Sequence, residues 1–220
     1  MRGVFITFDG TEGAGKSTLI REVASRLGLL AGPRRIVVTR EPGGTQVAER
    51  IRAVILEEKM DPWTELFLYQ AARAEHLAKV VLPALKQGKI VLCDRFTDSS
   101  LAYQAHARGL PWQEVARLNQ AATRGIRPDL TVLLDIDPAL GLKRAQVRTR
   151  FEKEGVAFQK KVRLGFLKAR RSDPQRWLTL QALSGTPGEL GQAVLLKIGE
   201  KRLLPKKSPK YMNPARKSRG

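Results

Sequence analysis

The 220-residue chain has one cysteine, Cys93, and two histidines, His76 and His106. A lone thiol cannot form an intrachain disulfide, and one cysteine with two scattered histidines cannot build a structural zinc site. Both histidines read as surface or helix-packing residues. No apolar run approaches the ~18 residues that a membrane span needs. The apolar stretch of MRGVFITFDG is too short for a secretory leader and leads straight into a glycine loop. These absences describe a cytoplasmic chain with no membrane association and no covalent staples. Its 42% hydrophobic content is enough for a core.

Acidic residues are also scarce, 21 against 40 basic ones, for a net charge of +19. The imbalance is local. Residues 1–142 hold 19 basic and 16 acidic side chains, whereas residues 143–176 hold 12 and three, and residues 197–220 hold nine and one. The first two thirds are charged like an ordinary enzyme; the internal segment and the tail need separate explanations.

Five β-branched apolar runs recur: VFITFD (4–9), RIVVTR (35–40), KIVLCD (89–94), LTVLLD (130–135) and RWLTLQ (176–181). Continuous apolar strands, unlike alternating ones, suit a parallel sheet covered on both faces. Between the first four lie helical patterns with apolar spacing near 3.6, and Gly28, Gly88 and Gly125 stand where helix-terminating glycines belong. The alternation predicts a doubly wound α/β fold with a five-stranded parallel sheet and helices on both faces. Residues 1–196 form one domain, and 197–220, with three prolines and no apolar periodicity in LPKKSPKYMNPARKSRG, read as a disordered basic tail.

The loop Gly10, Thr11, Glu12, Gly13, Ala14, Gly15, Lys16, Ser17, Thr18 completes G-x-x-x-x-G-K-[ST] between a predicted strand and a predicted helix. Glycines let backbone N–H groups converge on phosphate oxygens, and the helix N-terminus adds partial positive charge. Lys16 would bridge the β- and γ-phosphates and Ser17 would bind Mg²⁺. Glu12, a carboxylate inside a polyanion cradle, is the anomaly.

A second site is indicated downstream. Arg40 and Glu41 end the second strand, at the edge where open α/β sheets bind ligands. Tyr69 and Arg73 lie four apart on one helix face, a ring to stack on a base beside a donor to its exocyclic oxygen. In DRFTDSSLAYQ, Asp94 is placed to reach Mg²⁺ through water and Arg95 is a fork-shaped donor for a phosphate monoester. Ser99, Ser100, Tyr103 and Gln104 follow, more hydrogen-bonding groups than a plain crossover helix needs. The bland reading, a helix start capped by Asp98 or Ser99, leaves Arg95 and Gln104 unexplained.

With GTEGAGKST, TREPGGT, AARAEH, DRFTDSSLAYQ, RPDLTVLLDIDP and RTRFEKEG in order from residue 4 to about 170, the chain resembles the thymidylate kinases. The resemblance implies a P-loop nucleoside monophosphate kinase that moves the γ-phosphoryl group of ATP to dTMP with Mg²⁺, working as a homodimer. It implies that Tyr69 stacks on thymine, Arg73 bonds O4, Ser100 reaches the N3 side and Tyr103 closes off the 2′ position. Arg40 and Arg95 would hold the acceptor phosphate, with Gln104 beside them. Glu12 would face away from the ATP phosphates and orient the acceptor through its 3′-hydroxyl.

The resemblance also explains the internal basic segment. It is similar to the bacterial type, in which a lid, here about residues 144–158, supplies the arginine that the loop lacks at Gly13. Arg148 and Arg150 are then the transition-state contacts and Arg144 lies near the adenine, while Lys160, Lys161, Lys168, Arg170 and Arg171 form a solvated face. Two alternatives stay open: another nucleoside monophosphate or deoxynucleoside kinase, and a P-loop nucleic-acid-binding ATPase using the basic tail.

Overall fold

The computed structural model describes residues 2–145 and 150–204. Five strands, β1 (Val4–Asp9), β2 (Ile36–Arg40), β3 (Ile90–Asp94), β4 (Leu130–Asp135) and β5 (Trp177–Gln181), form one all-parallel sheet in the order β2-β3-β1-β4-β5. Every strand falls on one of the five apolar runs. Along β1 the side chains alternate between two cores. Ile6 and Phe8 pack with Leu19, Val23 and Leu27 of α1 (Lys16–Ala31) and Val194 and Ile198 of the last helix, while Phe5 packs with Leu77, Val81 and Phe96. Burial on both faces is why the runs carry no polar alternation.

The remaining helices follow in order: α2 (Gln46–Glu57), α3 (Pro62–His76), α4 (Leu82–Lys86), α5 (Thr97–Ser100), α6 (Trp112–Thr123), α7 (Pro138–Arg144), α8 (Arg150–Lys153), α9 (Gly155–Ser172) and α10 (Pro187–Glu200). A π-helical turn, Leu77–Val81, joins α3 to α4 just before Pro83, whose ring removes a donor and crowds the preceding turn. A second π-helical segment, Leu101–Ala107, prolongs α5.

Two boundaries differ from the sequence reading. Helix α1 runs through Gly28 to Ala31, and Gly32 (φ 91°) takes the terminating position instead; Gly88 and Gly125 do have positive φ. Helix α10 continues to Glu200, with Ile198 buried and Leu203 and Leu204 packed on the core. The folded body therefore extends past residue 196.

Register sets the height of the functional edge. Arg40 of β2 pairs with Asp94 of β3, which pairs with Phe8 of β1. The side chains that leave these three strand ends emerge together, next to the loop that follows β1.

Candidate active site

Gly10, Gly13 and Gly15 have φ of 148°, 71° and 92°, values that fold the loop back on itself before α1 begins at Lys16. Gly13 has a packing cause as well. A Cβ there would land on the carbonyl of Gly141 in α7, and one at Gly141 would land on the carbonyl of Glu12. No side chain fits at position 13 while α7 holds this place. The buried Lys16 ammonium donates to the carbonyls of Gly10 (3.2 Å) and Thr11 (3.0 Å), and burial together with Arg95 lowers its pKa.

A cleft of ≈ 520 Å³ opens in front of the loop, bounded by Glu12, Lys16, Ser17, Arg40, Asp94, Arg95 and Arg144. Beside it, Ala14, Thr18, Leu134, Arg144, Leu183 and Pro187 line a hollow with apolar walls. Ser17 Oγ donates to Asp94 Oδ2 at 3.2 Å, and Asp94 Oδ1 is buried without a partner among the described residues. An all-oxygen pair with one orphaned lone pair fits a hard divalent cation.

The second cavity lies on the other side of Glu12, lined by Tyr69, Arg73, Ser99, Ser100, Tyr103, Gln104 and Phe151 as well as Arg95 and Glu12 itself. Arg95 adopts a left-handed backbone conformation (φ 69°), which costs energy in a non-glycine residue and here aims its guanidinium at the loop. It donates to Gly10 O (3.0 Å), Ser99 Oγ (3.3 Å) and Glu12 Oε1 (2.6 Å), and Tyr103 Oη donates to the same Glu12 oxygen at 2.8 Å. Burial alone would raise the Glu12 pKa, but Arg95, Lys16 and the Tyr103 hydroxyl together hold it below the usual value. Glu12 is a fixed carboxylate at the border of two cavities, not a solvent-facing loop residue.

Ser99 Oγ in turn donates to Asp9 Oδ1 at 2.6 Å. Burial and then the neighbouring Asp98 push Asp9 up to about 7. Neither Asp98 nor Ser99 caps α5; Asp98 instead accepts two hydrogen bonds from Arg176 (2.7 and 2.9 Å).

Tyr69 and Arg73 share one face of α3 and both line the second cavity, with Arg73 the more deeply buried. Burial raises the Tyr69 pKa, so the ring stays a neutral phenol. Arg73 donates to Glu41, Gln70, Ser100, Asn119 and the Phe96 carbonyl. Arg40 pairs with Glu49 at the open rim, and Gln104 donates to the buried Glu65 at 2.8 Å. His76, read as a surface or packing residue, is fully buried, with Nδ1 on Glu41 (2.9 Å) and Nε2 on Thr39 (2.7 Å).

Two of the three arginines that the sequence assigns to a lid are described, and they stand in different places. Arg144 sits at the loop cleft. Arg150 lies on Glu65, at 2.6 Å, and on the Ile55 carbonyl rather than at the loop. Arg148 lies outside the described residues. Lys160, Lys161, Lys168, Arg170 and Arg171 are exposed, as a solvated face requires. Glu65, Asn119, Arg52 and Phe151 were not singled out by the sequence. Glu65 stands one turn before Tyr69 on the same face, and Asn119 interrupts the buried stripe Val115–Asn119–Thr123 of α6. A polar residue on a buried stripe was the available signal.

A phosphate loop joined to a second ligand cavity on a parallel sheet defines a P-loop nucleoside monophosphate kinase architecture. The family model for thymidylate kinase matches residues 8–189. The thymidylate kinase of Pelobacter propionicus is 44% identical over 213 residues, covering 91% of this chain and 96% of that one. The Lactobacillus helveticus enzyme of the same name is 46% identical, covering 88% and 95%. The crystal structure of thymidylate kinase from Ehrlichia chaffeensis superposes with a TM-score of 0.74 at 32% identity, covering 89% of this chain and 99% of that one. The chain belongs to the thymidylate kinase family: it is an ATP-dependent nucleoside monophosphate kinase whose reaction is phosphorylation of dTMP. No helix among the described residues is long and apolar enough to cross a membrane.

Proposed function

We propose that ATP lies on the loop Gly10–Thr18 with its base in the hollow beside Arg144, that dTMP fills the cavity of Tyr69 and Arg73, and that the phosphoryl group passes between them at Glu12 and Arg95. The observation that carries this reading is that the two cavities share Glu12 and Arg95. Lys16 exchanges the carbonyls of Gly10 and Thr11 for phosphate oxygens. Arg95 and Arg40 hold the acceptor phosphate, with Gln104 nearby. Tyr69 stacks on the base, Arg73 and Ser100 bond its edge, and Tyr103 closes the 2′ side. Glu12, kept ionised, accepts from the acceptor's 3′-hydroxyl and repels a misplaced phosphate. Ser99 steadies Arg95.

The acceptor phosphate is already an anion near neutral pH, so no general base is required; catalysis is positioning and neutralisation of charge. Arg148 and Arg150 of the lid neutralise the transferring group. Ser17 and Asp94 would hold Mg²⁺, which when bound neutralises phosphate charge. We read the enzyme as a cytoplasmic homodimer. The stacked, exposed Trp63–Phe67 pair on α3 and the exposed Val47 and Val54 on α2 support an apolar contact surface.

Turnover with ATP should be compared for dTMP, dUMP, dCMP and thymidine. Preference for dTMP is the expected result. Preference for the unphosphorylated nucleoside would defeat the assignment of Arg40 and Arg95 to an acceptor phosphate.

A further inference from the structure

A guanidinium carries five N–H groups in a rigid fork. In Arg73 four of them are committed to the protein. Nε donates to Glu41 at 2.8 Å, and one Nη2 hydrogen goes to the Phe96 carbonyl at 3.1 Å. The two Nη1 hydrogens are shared among Gln70 (3.0 Å), Ser100 (3.0 Å) and Asn119 (2.7 Å). One Nη2 N–H remains, on a side chain only 2% exposed that lines the acceptor cavity.

Asn119 makes the shortest of these contacts and comes from α6, outside the cavity lining. Its own amide is fixed, because Nδ2 donates to the Thr97 carbonyl at 3.0 Å and Oδ1 also accepts from Gln70 at 2.8 Å. One oxygen thus ties two residues of α3 to α6. On the opposite side of the fork, Glu41 is held in place by His76, which is held by Thr39.

We propose that Asn119 is a specificity-determining positioning residue. By closing the Nη1 side of Arg73 it leaves one donor for the cavity, so the site accepts a pyrimidine that presents a carbonyl oxygen there and rejects one that presents an amino group. In a dry pocket, donor set against donor leaves both unpaired, and a buried polar group without a partner is costly. Without Asn119 the Nη1 side is left to Gln70 and Ser100 alone, so the fork is less firmly fixed and an amino-bearing base meets a donor that can yield. The inference rests on the reading of this cavity as the dTMP site.

The test is steady-state kinetics of Asn119→Ala and Asn119→Asp with dTMP, dCMP and ATP, alongside thermal unfolding. Asn119→Ala should raise the KM for dTMP roughly tenfold and lower the dTMP/dCMP ratio of kcat/KM by a similar factor, with the KM for ATP within about twofold. Asn119→Asp, which keeps an acceptor oxygen facing Arg73, should recover most of both losses. Should Asn119→Ala fail to fold, Gln70→Leu removes another acceptor from the Nη1 side of Arg73, together with the amide that braces Asn119 Oδ1, and should move the ratio in the same direction. An unchanged ratio, or KM values for dTMP and ATP rising together, would overturn the role of Asn119. A wild-type enzyme with no preference for dTMP over dCMP would instead overturn the reading of the cavity.

Discussion

Glu12 and Arg95, 83 residues apart in the chain, meet at 2.6 Å where the two cavities join. The carboxylate stands inside a phosphate-loop motif, and its partners Arg95 and Tyr103 both line the second cavity, which we propose holds the acceptor. Arg95 is held by the loop, through Gly10 O and Glu12, so the two cavities share one fixed joint.

Glu12→Gln keeps the side chain's shape and removes its charge. Arg95 then loses its ionic partner and, on the proposed reading, the 3′-hydroxyl of dTMP loses a strong hydrogen-bond acceptor. Turnover of dTMP should fall roughly 10- to 100-fold while the KM for ATP changes little. Since the Glu12 pKa is lowered, the wild-type pH–rate profile should show no loss from this group above the usual carboxylate range. A profile that titrates near neutrality and flattens in Glu12→Gln would contradict the description of Glu12 as permanently charged.

Lys16→Ala should abolish phosphoryl transfer with dTMP binding, measured by calorimetry, within a few-fold of wild type. The lysine contacts the loop's own carbonyls and does not line the acceptor cavity. Near-normal turnover would remove the ATP phosphates from the loop.

The strands, the loop and the Tyr69–Arg73 face were legible in the sequence because each rests on local periodicity or on a motif whose backbone geometry is self-contained. What was not legible depends on partners far away in the chain. Gly28 carries the local signal of a helix end, yet α1 runs three residues further to Ala31 and is ended by Gly32. His76 looks like a surface residue until Glu41, 35 residues earlier, is brought beneath it. Asp98 has the spacing of a cap, but Arg176, in the turn just before β5, claims both its oxygens. A motif comparison explained Gly13 as the absence of an arginine; only the fold shows that Gly141 occupies the space a side chain would need.

That contact gives a further test. Gly141→Ala puts a methyl group against the Glu12 carbonyl, a backbone atom that cannot swing aside. The loop or α7 must shift. Stability should drop by about 1–3 kcal/mol, the usual cost of overpacking, and the KM for ATP should rise more than that for dTMP. Wild-type stability together with an unchanged KM for ATP would show that the loop is not held in place by α7.

Asp9 supplies a pH signature. Its carboxyl is raised from 3.8 to about 7 by burial and Asp98. The folded state therefore binds more protons than the unfolded state between those two values, so this group erodes stability as pH rises across the window and the loss levels off above the folded value. Asp9→Asn keeps an oxygen for Ser99 and removes the titration. Its melting temperature relative to wild type should climb from pH 4 to pH 8. Parallel curves across that range would mean that Asp9 is already ionised in the folded protein.

Arg150 is the residue whose placement and assigned task pull furthest apart. Its guanidinium rests on Glu65, a buried carboxylate that also accepts from Gln104 and Arg108. To neutralise the transferring group it has to exchange that carboxylate for phosphoryl oxygens, two anionic partners for one cation. Arg150→Ala should lower kcat by on the order of 10³ while moving the KM of either nucleotide far less. In that background Glu65→Gln should change kcat no further, because the partner it would release is gone. If Arg150→Ala raised the KM for dTMP as much as it lowered kcat, Arg150 would be a clasp that holds the lid on Glu65, and charge neutralisation would pass to Arg148 and Arg144.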